Sequence, residues 1–189
     1  MREIAFQRVS RIMRDSPLVF SSTDTVSELL GSLYQSGSYE ALVAYENRVG
    51  LITVRDLLGI SHPERTLLGK IAKSAPYLSP ESTVLDAVNS MVANKIRALP
   101  ILENGEIIGI ISQKEIVNAL PESSIFEEIM CKEVMKVPVI SVDVNDKVST
   151  ARSIMRRHGI SHLPAVNARG WLKGMITARD IVFAFIQPG

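Results

Sequence analysis

The chain has 189 residues, of which 46% are hydrophobic and 22% charged, and its formal net charge is +1. These values are typical of a globular protein with a real core, and the near-zero charge does not indicate a nucleic-acid partner. The longest apolar run, IVFAFI at 181–186, is too short to cross a bilayer, so no membrane partner is expected. A single cysteine excludes an internal disulfide framework and, with a charged N-terminus that lacks a secretory signal, predicts a cytoplasmic protein.

The first unit of the chain, predicted at 6–62, has the order extended segment, helix, strand, strand, helix. Apolar residues at helical spacing predict the first helix over 25–37, with Asp24 as its N-cap. The apolar runs at 38–45 and 49–53 predict a hairpin of two buried strands. The chain then returns to a helical pattern, which predicts a strand-to-helix corner.

The same order recurs in two further units, predicted at 66–121 and 124–187, whose first helices are predicted with Ser82 and Asp146 as N-caps. A short amphipathic stretch and a proline-containing opening segment precede each first helix. The amphipathic stretches are FQRVSRIM (6–13), TLLGKIA (66–72) and SIFEEIM (124–130), and the opening segments are SPLVF (16–20), APYLS (75–79) and VPVIS (137–141). A unit of about 60 residues is small to fold alone, so the units are expected to pair.

Each corner combines a glycine, a hydroxyl three residues later and an acid three residues after that. The glycines are Gly50, Gly109 and Gly174, the hydroxyls are Thr53, Ser112 and Thr177, and the acids are Asp56, Glu115 and Asp180. One interpretation is a capping box, in which hydroxyl and acid satisfy the first N–H groups of a helix. The other is a ligand site, because a helix N-terminus attracts phosphate and a carboxylate accepts both hydroxyls of a ribose.

Basic side chains accompany the corners. Arg55 and Arg179 directly precede two of the acids, and His162 flanks a central strand. A guanidinium group donates two hydrogen bonds to a phosphate, although any one of these residues is also typical of a solvated surface. No set of metal ligands and no nucleophile with a base is recognisable in the sequence, so we predict neither a metal site nor catalytic residues.

The repeated order and the Gly-apolar-apolar-[Ser/Thr]-x-x-acid corner resemble the CBS domain, in three consecutive copies over about 6–187. The resemblance implies an α/β (α+β) fold of tandem β-α-β-β-α repeats, two of which pack through their sheets into a Bateman module. It also implies a regulatory, non-enzymatic protein whose clefts bind AMP, ADP, ATP or S-adenosylmethionine, with no other cofactor required.

The resemblance carries the ribose role over to Asp56 and Asp180, whereas Glu115 departs from the family pattern and favours capping. In the family, adenine is read by the opening segment of the paired copy. Thr53 and Asp56 are therefore expected to act with Lys70, Ala75, Pro76 and Tyr77, and Ser112 and Glu115 with the segment from Met13 to Leu18. Of these two clefts, the resemblance favours the one with Asp56; Tyr77 is either a stacking surface or a core residue.

The third repeat has no predicted partner within the chain. It is expected to pair with the third repeat of another chain, as a homodimer, or with a missing fourth repeat. The predicted function is a sensor that signals to a separate effector protein. The alternative is an interaction scaffold that binds no ligand.

Overall fold

The computed structural model describes residues 2–121 and 129–184, and it has the mixed α/β architecture that the sequence predicts. A short helix, α1 (Arg2–Ala5), and a 3-10 turn (Val9–Arg11) lead into the first repeat. That repeat consists of β1 (Val19–Ser21), α2 (Val26–Ser36), β2 (Glu40–Ala44), β3 (Val49–Thr53) and α3 (Val54–Leu57). The predicted order of helix, hairpin and helix is confirmed.

The other two repeats follow the same order. The second has a 3-10 turn (Leu68–Lys70), β4 (Lys73–Ser74), α4 (Val84–Asn94), β5 (Ala98–Glu103), β6 (Glu106–Ser112) and α5 (Gln113–Asn118). The third has α6 (Cys131–Val134), β7 (Val142–Asp143), α7 (Val148–His158), β8 (His162–Val166), β9 (Leu172–Thr177) and α8 (Ala178–Ala184). Most of the amphipathic stretch predicted at 124–130 lies outside the described residues.

The first helix of each repeat begins one residue later than predicted, so the three predicted N-caps are wrong. The N-caps are Thr25, Thr83 and Lys147, and each has extended backbone. The two threonines form capping boxes with an acid three residues later, as in the 2.8 Å bond from the Thr83 N–H to Asp86 Oδ2. Asp24 and Ser82 lack an acid at that spacing, which is the physical reason for the shift in the first two repeats; in the third repeat, Lys147 makes no side-chain capping bond.

The chain folds into two compact units, each assembled from separate stretches of sequence. The first takes its described residues from Met1–Ser22, Leu42–Leu51 and Ala72–Met135, and the second from Thr23–Ala41, Ile52–Ile71 and Lys136–Gly189. The first unit therefore contains sheet residues of repeats 1 and 2, whereas the second contains helices of repeat 1 together with nearly all of repeat 3. None of the helices in the described part of the chain is long and apolar enough to span a membrane.

In the first unit, repeats 1 and 2 share a core between their sheets. Apolar side chains of both repeats form this cluster: Leu42, Val49 and Leu51 from repeat 1, and Ala75, Ala98 and Ile110 from repeat 2. A neighbouring cluster packs α4 against β5 and β6, with Val9 from the N-terminal turn. The pairing of the first two repeats, expected from their small size, is thus built from the hydrophobic faces of the strands.

In the second unit, helices of repeat 3 pack against helices of repeat 1. Helix α3 contacts α8, and the ring of Tyr34 meets that of Phe183 edge-on at 5.3 Å. The three-stranded sheet of repeat 3 has the order β7-β8-β9, with β7 parallel and β9 antiparallel to β8. The sequence predicted no partner within the chain for repeat 3, and the structure differs by giving its helices one.

Candidate functional site

All three corners place a strand end, a hydroxyl and an acid in one local geometry. At the first corner, the backbone N–H and the hydroxyl of Thr53 donate to Asp56 Oδ2 at 2.8 and 2.6 Å. At the third, the same two groups of Thr177 donate to Asp180 Oδ2, both at 2.8 Å. At the second, the N–H of Ser112 donates to Glu115 Oε2 at 2.8 Å, and the hydroxyl donates to the same oxygen. The capping interpretation of the spacing is therefore confirmed at each corner.

The local sequence explains this geometry. Thr53 and Ser112 end their strands in extended backbone, with φ of −115° and −121°, which is the conformation an N-cap residue needs. The helix begins at the next residue. Its first turn therefore directs the side chain of the acid, three residues after the N-cap, back toward the end of the strand. The acid is oriented by its own chain before any ligand arrives.

The third corner presents its acid most openly. Asp180 is exposed, and both bonds from Thr177 end on its Oδ2 atom. Its other oxygen, Oδ1, accepts no hydrogen bond from the described residues. The backbone N–H of Asp180 completes the capping box by donating to Thr177 Oγ1 at 3.2 Å. A carboxylate has about four acceptor positions, so the cap leaves acceptor capacity on a pre-oriented group.

The second corner lies beside the opening segment that the sequence assigned to it. Arg14 and Ile110 exchange two backbone hydrogen bonds of 2.9 Å, and Ile110 precedes Ser112 by two residues. Ser112 is buried and Glu115 is half-buried. The segment from Met13 to Leu18 is thus brought to this strand as expected, while ligand binding here stays a prediction.

The other residues predicted to bind ligand with the first corner have differing environments. Lys70 is exposed at the end of its 3-10 turn. Ala75 is buried, and its N–H donates to the carbonyl of Val49 at 3.2 Å, while Pro76 is half-buried. Tyr77 is 63% exposed, so the core interpretation of this aromatic ring is wrong. Its stacking role stays a prediction.

The two predicted phosphate-binding arginines donate to backbone carbonyls at helix ends. Arg55 Nη1 lies 2.9 Å from the carbonyl oxygen of Gly159, the C-cap of α7. Arg179 Nη2 lies 3.2 Å from the carbonyl oxygen of Leu33, in the last turn of α2. Its Nη1 lies 2.9 Å from the carbonyl oxygen of Ser38, just beyond the end of that helix. The last carbonyls of a helix lack partners within it and carry negative partial charge, so a cation stabilises them. These contacts join repeats 1 and 3, and the assignment of either arginine to a phosphate stays a prediction.

Sequence reasoning did not find these interhelical contacts. A further one joins Arg152 Nε to the carbonyl of Leu58. The glycines that end α2 and α7 mark the helix ends, but nothing in the sequence links an arginine to either end. His162, predicted as a ligand-binding residue, is exposed at the start of β8, with its Nδ1 3.1 Å from the hydroxyl of Ser161.

The sequence profile of the CBS domain matches three times, at residues 9–62, 68–122 and 131–187. The chain belongs to the CBS domain family. Among its relatives, the uncharacterised protein MJ1404 of Methanocaldococcus jannaschii is 29% identical over all of this chain, which spans 46% of that relative. The inosine-5'-monophosphate dehydrogenase of Korarchaeum cryptofilum is 25% identical over 96% of the chain and 36% of the enzyme.

Solved structures of CBS domain proteins share the fold. Protein MJ1225 from Methanocaldococcus jannaschii has a TM-score of 0.53 and 16% identity, covering 95% of this chain and 100% of that one. The CBS domain pair of protein MJ0100, in complex with 5-methylthioadenosine and S-adenosyl-L-methionine, has a TM-score of 0.54 and 16% identity, covering 60% and 94%. At these identities the likeness is one of fold.

Proposed function

We propose that this CBS domain protein is a non-catalytic regulatory module that binds an adenosine-containing ligand at its strand-to-helix corners. The ligand is AMP, ADP, ATP or S-adenosylmethionine, and the module signals to an effector that is a separate protein or a fused domain. The observation that carries this proposal is the exposed carboxylate of Asp180, which the cap holds through one oxygen only.

The chemistry of a ribose matches this carboxylate. The two neighbouring hydroxyls of a ribose are donors, and a fixed carboxylate accepts both without losing side-chain entropy when it binds. The cap supplies the fixation, because Thr177 donates two hydrogen bonds to Oδ2. Asp56 is held in the same way by Thr53, so we propose the same role for it.

Two comparisons support the proposal. The solved CBS pair of MJ0100 contains two ligands that share an adenosine moiety, which fits a corner that recognises ribose. The relatives that are inosine-5'-monophosphate dehydrogenases match this chain over about a third of their own length, 36% and 35% in two archaeal cases. That share is consistent with a regulatory module beside a separate effector.

A scaffold that binds no ligand is the second candidate. It is favoured by the capping geometry itself, since every corner acid already has a structural role. Glu115 supports it further, because its carboxylate lies one methylene farther from the backbone than an aspartate's and its Oε2 is engaged twice by Ser112. In the ligand-binding candidate, the carboxylate oxygen that the cap does not engage accepts hydrogen bonds from a ribose. In the scaffold candidate, it binds no ligand.

Calorimetric titration with AMP, ADP, ATP and S-adenosylmethionine, with GMP as the guanine control, separates them. We expect selective binding by the wild-type chain, and at least tenfold weaker binding by Asp180→Ala if the third corner holds ribose. Asp86→Ala is the matched control, because Thr83 caps Asp86 with the same 2.8 Å bond outside any corner. A folded wild-type chain that binds none of the ligands would establish the scaffold, and unchanged binding by Asp180→Ala would remove the third corner from the site.

A further inference from the structure

The start of each corner helix is anchored to the chain that follows the first helix of the same repeat. The exit segment of a repeat is defined as the three residues after its first helix: 37–39 in repeat 1, 95–97 in repeat 2 and 159–161 in repeat 3. The N–H of Val54, the first residue of α3, donates to the carbonyl oxygen of Tyr39 at 2.9 Å. The N–H of Ala178, the first residue of α8, donates to that of Ser161 at 2.8 Å. The first N–H groups of a helix have no partner inside it, so each bond fixes where a corner helix begins.

An arginine of each of these two corners crosses to the exit segment of the other repeat. Arg55, the second residue of α3, donates through Nη1 to the carbonyl oxygen of Gly159 at 2.9 Å. Arg179, the second residue of α8, donates through Nη1 to that of Ser38, also at 2.9 Å. Its guanidinium group lies 5.1 Å from the ring of Tyr39 in the same exit segment. Repeats 1 and 3 therefore make one contact twice, once in each direction.

Together the four hydrogen bonds form a closed ring within the second compact unit. Arg55 holds the exit segment of repeat 3, which holds the start of α8. Arg179 holds the exit segment of repeat 1, which holds the start of α3. Ser38 is buried, and Val54 and Ala178 are each 3% exposed, so water does not readily compete for these bonds.

The second corner has the internal bond of this arrangement without the crossing one. The N–H of Gln113, the first residue of α5, donates to the carbonyl oxygen of Arg97 in its exit segment at 3.0 Å. Lys114 stands where the other corners have arginine, and it is exposed. Its ammonium group donates to no carbonyl oxygen within the described residues, whereas its backbone N–H donates to Ser112 Oγ. Lys114 is therefore a control at the matched position.

We propose that the two corner arginines are positioning residues, each for the ligand-binding acid of the opposite repeat. Arg55 positions Asp180, and the reciprocal contact of Arg179 positions Asp56. The cap orients each carboxylate relative to the start of its helix, so the carboxylate moves when that start moves. A guanidinium on a carbonyl oxygen is a charge-assisted contact, and its removal loosens the exit segment on which the helix start depends.

This role differs from a phosphate-binding role in the corner at which the loss of an arginine is felt. An arginine that binds phosphate acts on the ligand at its own corner, whereas these arginines act at the opposite one. The two corners are thereby coupled, and coupling between two binding sites is reciprocal. The proposal rests on the proposed function for the ligand, whereas the contact itself is measurable without one.

Amide hydrogen exchange, followed by NMR on the ligand-free 189-residue chain, tests the contact. In Arg55→Met, the N–H of Ala178 should exchange roughly fivefold faster than in the wild type, the factor that corresponds to about one net hydrogen bond. The ladder between β8 and β9 should change less, which separates this effect from a general loss of stability. In Arg179→Met the faster amide should be that of Val54, and Lys114→Met should change neither rate. Unchanged exchange of Ala178 in a folded Arg55→Met would overturn the proposal.

Calorimetric titration with AMP tests what the contact does for a ligand. In the Asp56→Ala background, the AMP binding that is lost on adding Asp180→Ala belongs to the third corner. Adding Arg55→Met to Asp56→Ala should weaken that binding by roughly fivefold or more. Arg55→Lys should restore part of the affinity, because an ammonium group still donates to a carbonyl oxygen, and Lys114→Met should have no effect.

A phosphate role for Arg55 predicts no change in the Asp56→Ala background, because the corner of Arg55 has already lost its acid. Unchanged affinity of the third corner in that background would therefore overturn the proposal. If no AMP binding belongs to the third corner, that failure is one of the proposed function, and the exchange rate of Ala178 alone decides the positioning role.

Discussion

Replacing Arg179 with alanine should destabilise the second unit far more than the loss of an arginine on an exposed turn. Its guanidinium group donates to the carbonyl oxygens of Ser38 and Leu33 and lies 5.1 Å from the ring of Tyr39 and 4.7 Å from that of Phe183. Ser38 is buried, so its carbonyl would lose a partner that water cannot readily replace. The change therefore removes two hydrogen bonds from a charged donor and the contacts of that donor with two aromatic rings.

The structure sets the size of the effect. A hydrogen bond to a charged group contributes about 1.5–3 kcal/mol when buried, and half-burial of Arg179 roughly halves the two contributions. Contact of the cation with an aromatic ring adds about 0.5–1 kcal/mol. The expected loss is about 3 kcal/mol, which for a chain of this length lowers Tm by about 6–12 °C.

Thermal unfolding of ligand-free protein measures this loss. Arg48→Ala is the control, because Arg48 lies over the ring of Tyr45 at 3.7 Å on an exposed hairpin turn and should cost under about 1 kcal/mol. Arg179→Lys should fall between the two, since one ammonium group cannot reproduce the guanidinium fork. If Arg179→Ala unfolds at the same temperature as Arg48→Ala, the bonds to the helix-end carbonyls do not contribute, and the reasoning is refuted.

Two further predictions concern local geometry. Hydrogen bonds from the hydroxyl and backbone of Thr83 lower the pKa of Asp86, so its stabilising contribution is present above the ordinary carboxyl range of about 4 and is lost as pH falls through the depressed value. Denaturant unfolding from pH 6 to pH 3 should show a smaller acid loss for Asp86→Asn than for the wild type, and parallel curves would contradict the assignment. Gly50→Ala should cost about 1–3 kcal/mol, because its Cβ would lie 2.9 Å from the Cβ of Ala72, whereas Gly31→Ala should stabilise α2 by about 0.5–1 kcal/mol. Equal unfolding midpoints for these two glycine variants would show that the close approach at Gly50 is absent.

The corners could be read from the sequence because their geometry is local. Thr53 and Asp56 are three residues apart, and the bonds between them depend only on the strand end and the first helical turn. The same rule, applied to the acid three residues after Thr83, would have placed that N-cap correctly. The order of helices and strands within each repeat could also be predicted from the sequence, because the spacing of apolar residues changes between strand and helix in each copy.

The arginine contacts could not be read in this way. Arg55 reaches Gly159 across 104 positions, and Arg179 reaches Ser38 across 141. In the sequence each is an arginine beside an acid, which fits a phosphate ligand and a helix-end contact equally well. Tyr77 shows the same ambiguity, because an aromatic residue near a strand is compatible with a core position and with a surface position. Only the tertiary structure shows that its ring is exposed.

The sequence by itself determined the three repeats, their order of elements and the capped corners, because these follow from hydrogen bonds and apolar spacing within a few residues. Only the tertiary structure decided which apolar side chains form the core between repeats 1 and 2, and that helices of repeat 3 pack on those of repeat 1. Three copies of one pattern have nearly the same apolar faces, so pattern alone does not select partners. The choice depends on how whole surfaces fit, down to the close approach of Met13 to the Cβ position of Gly109.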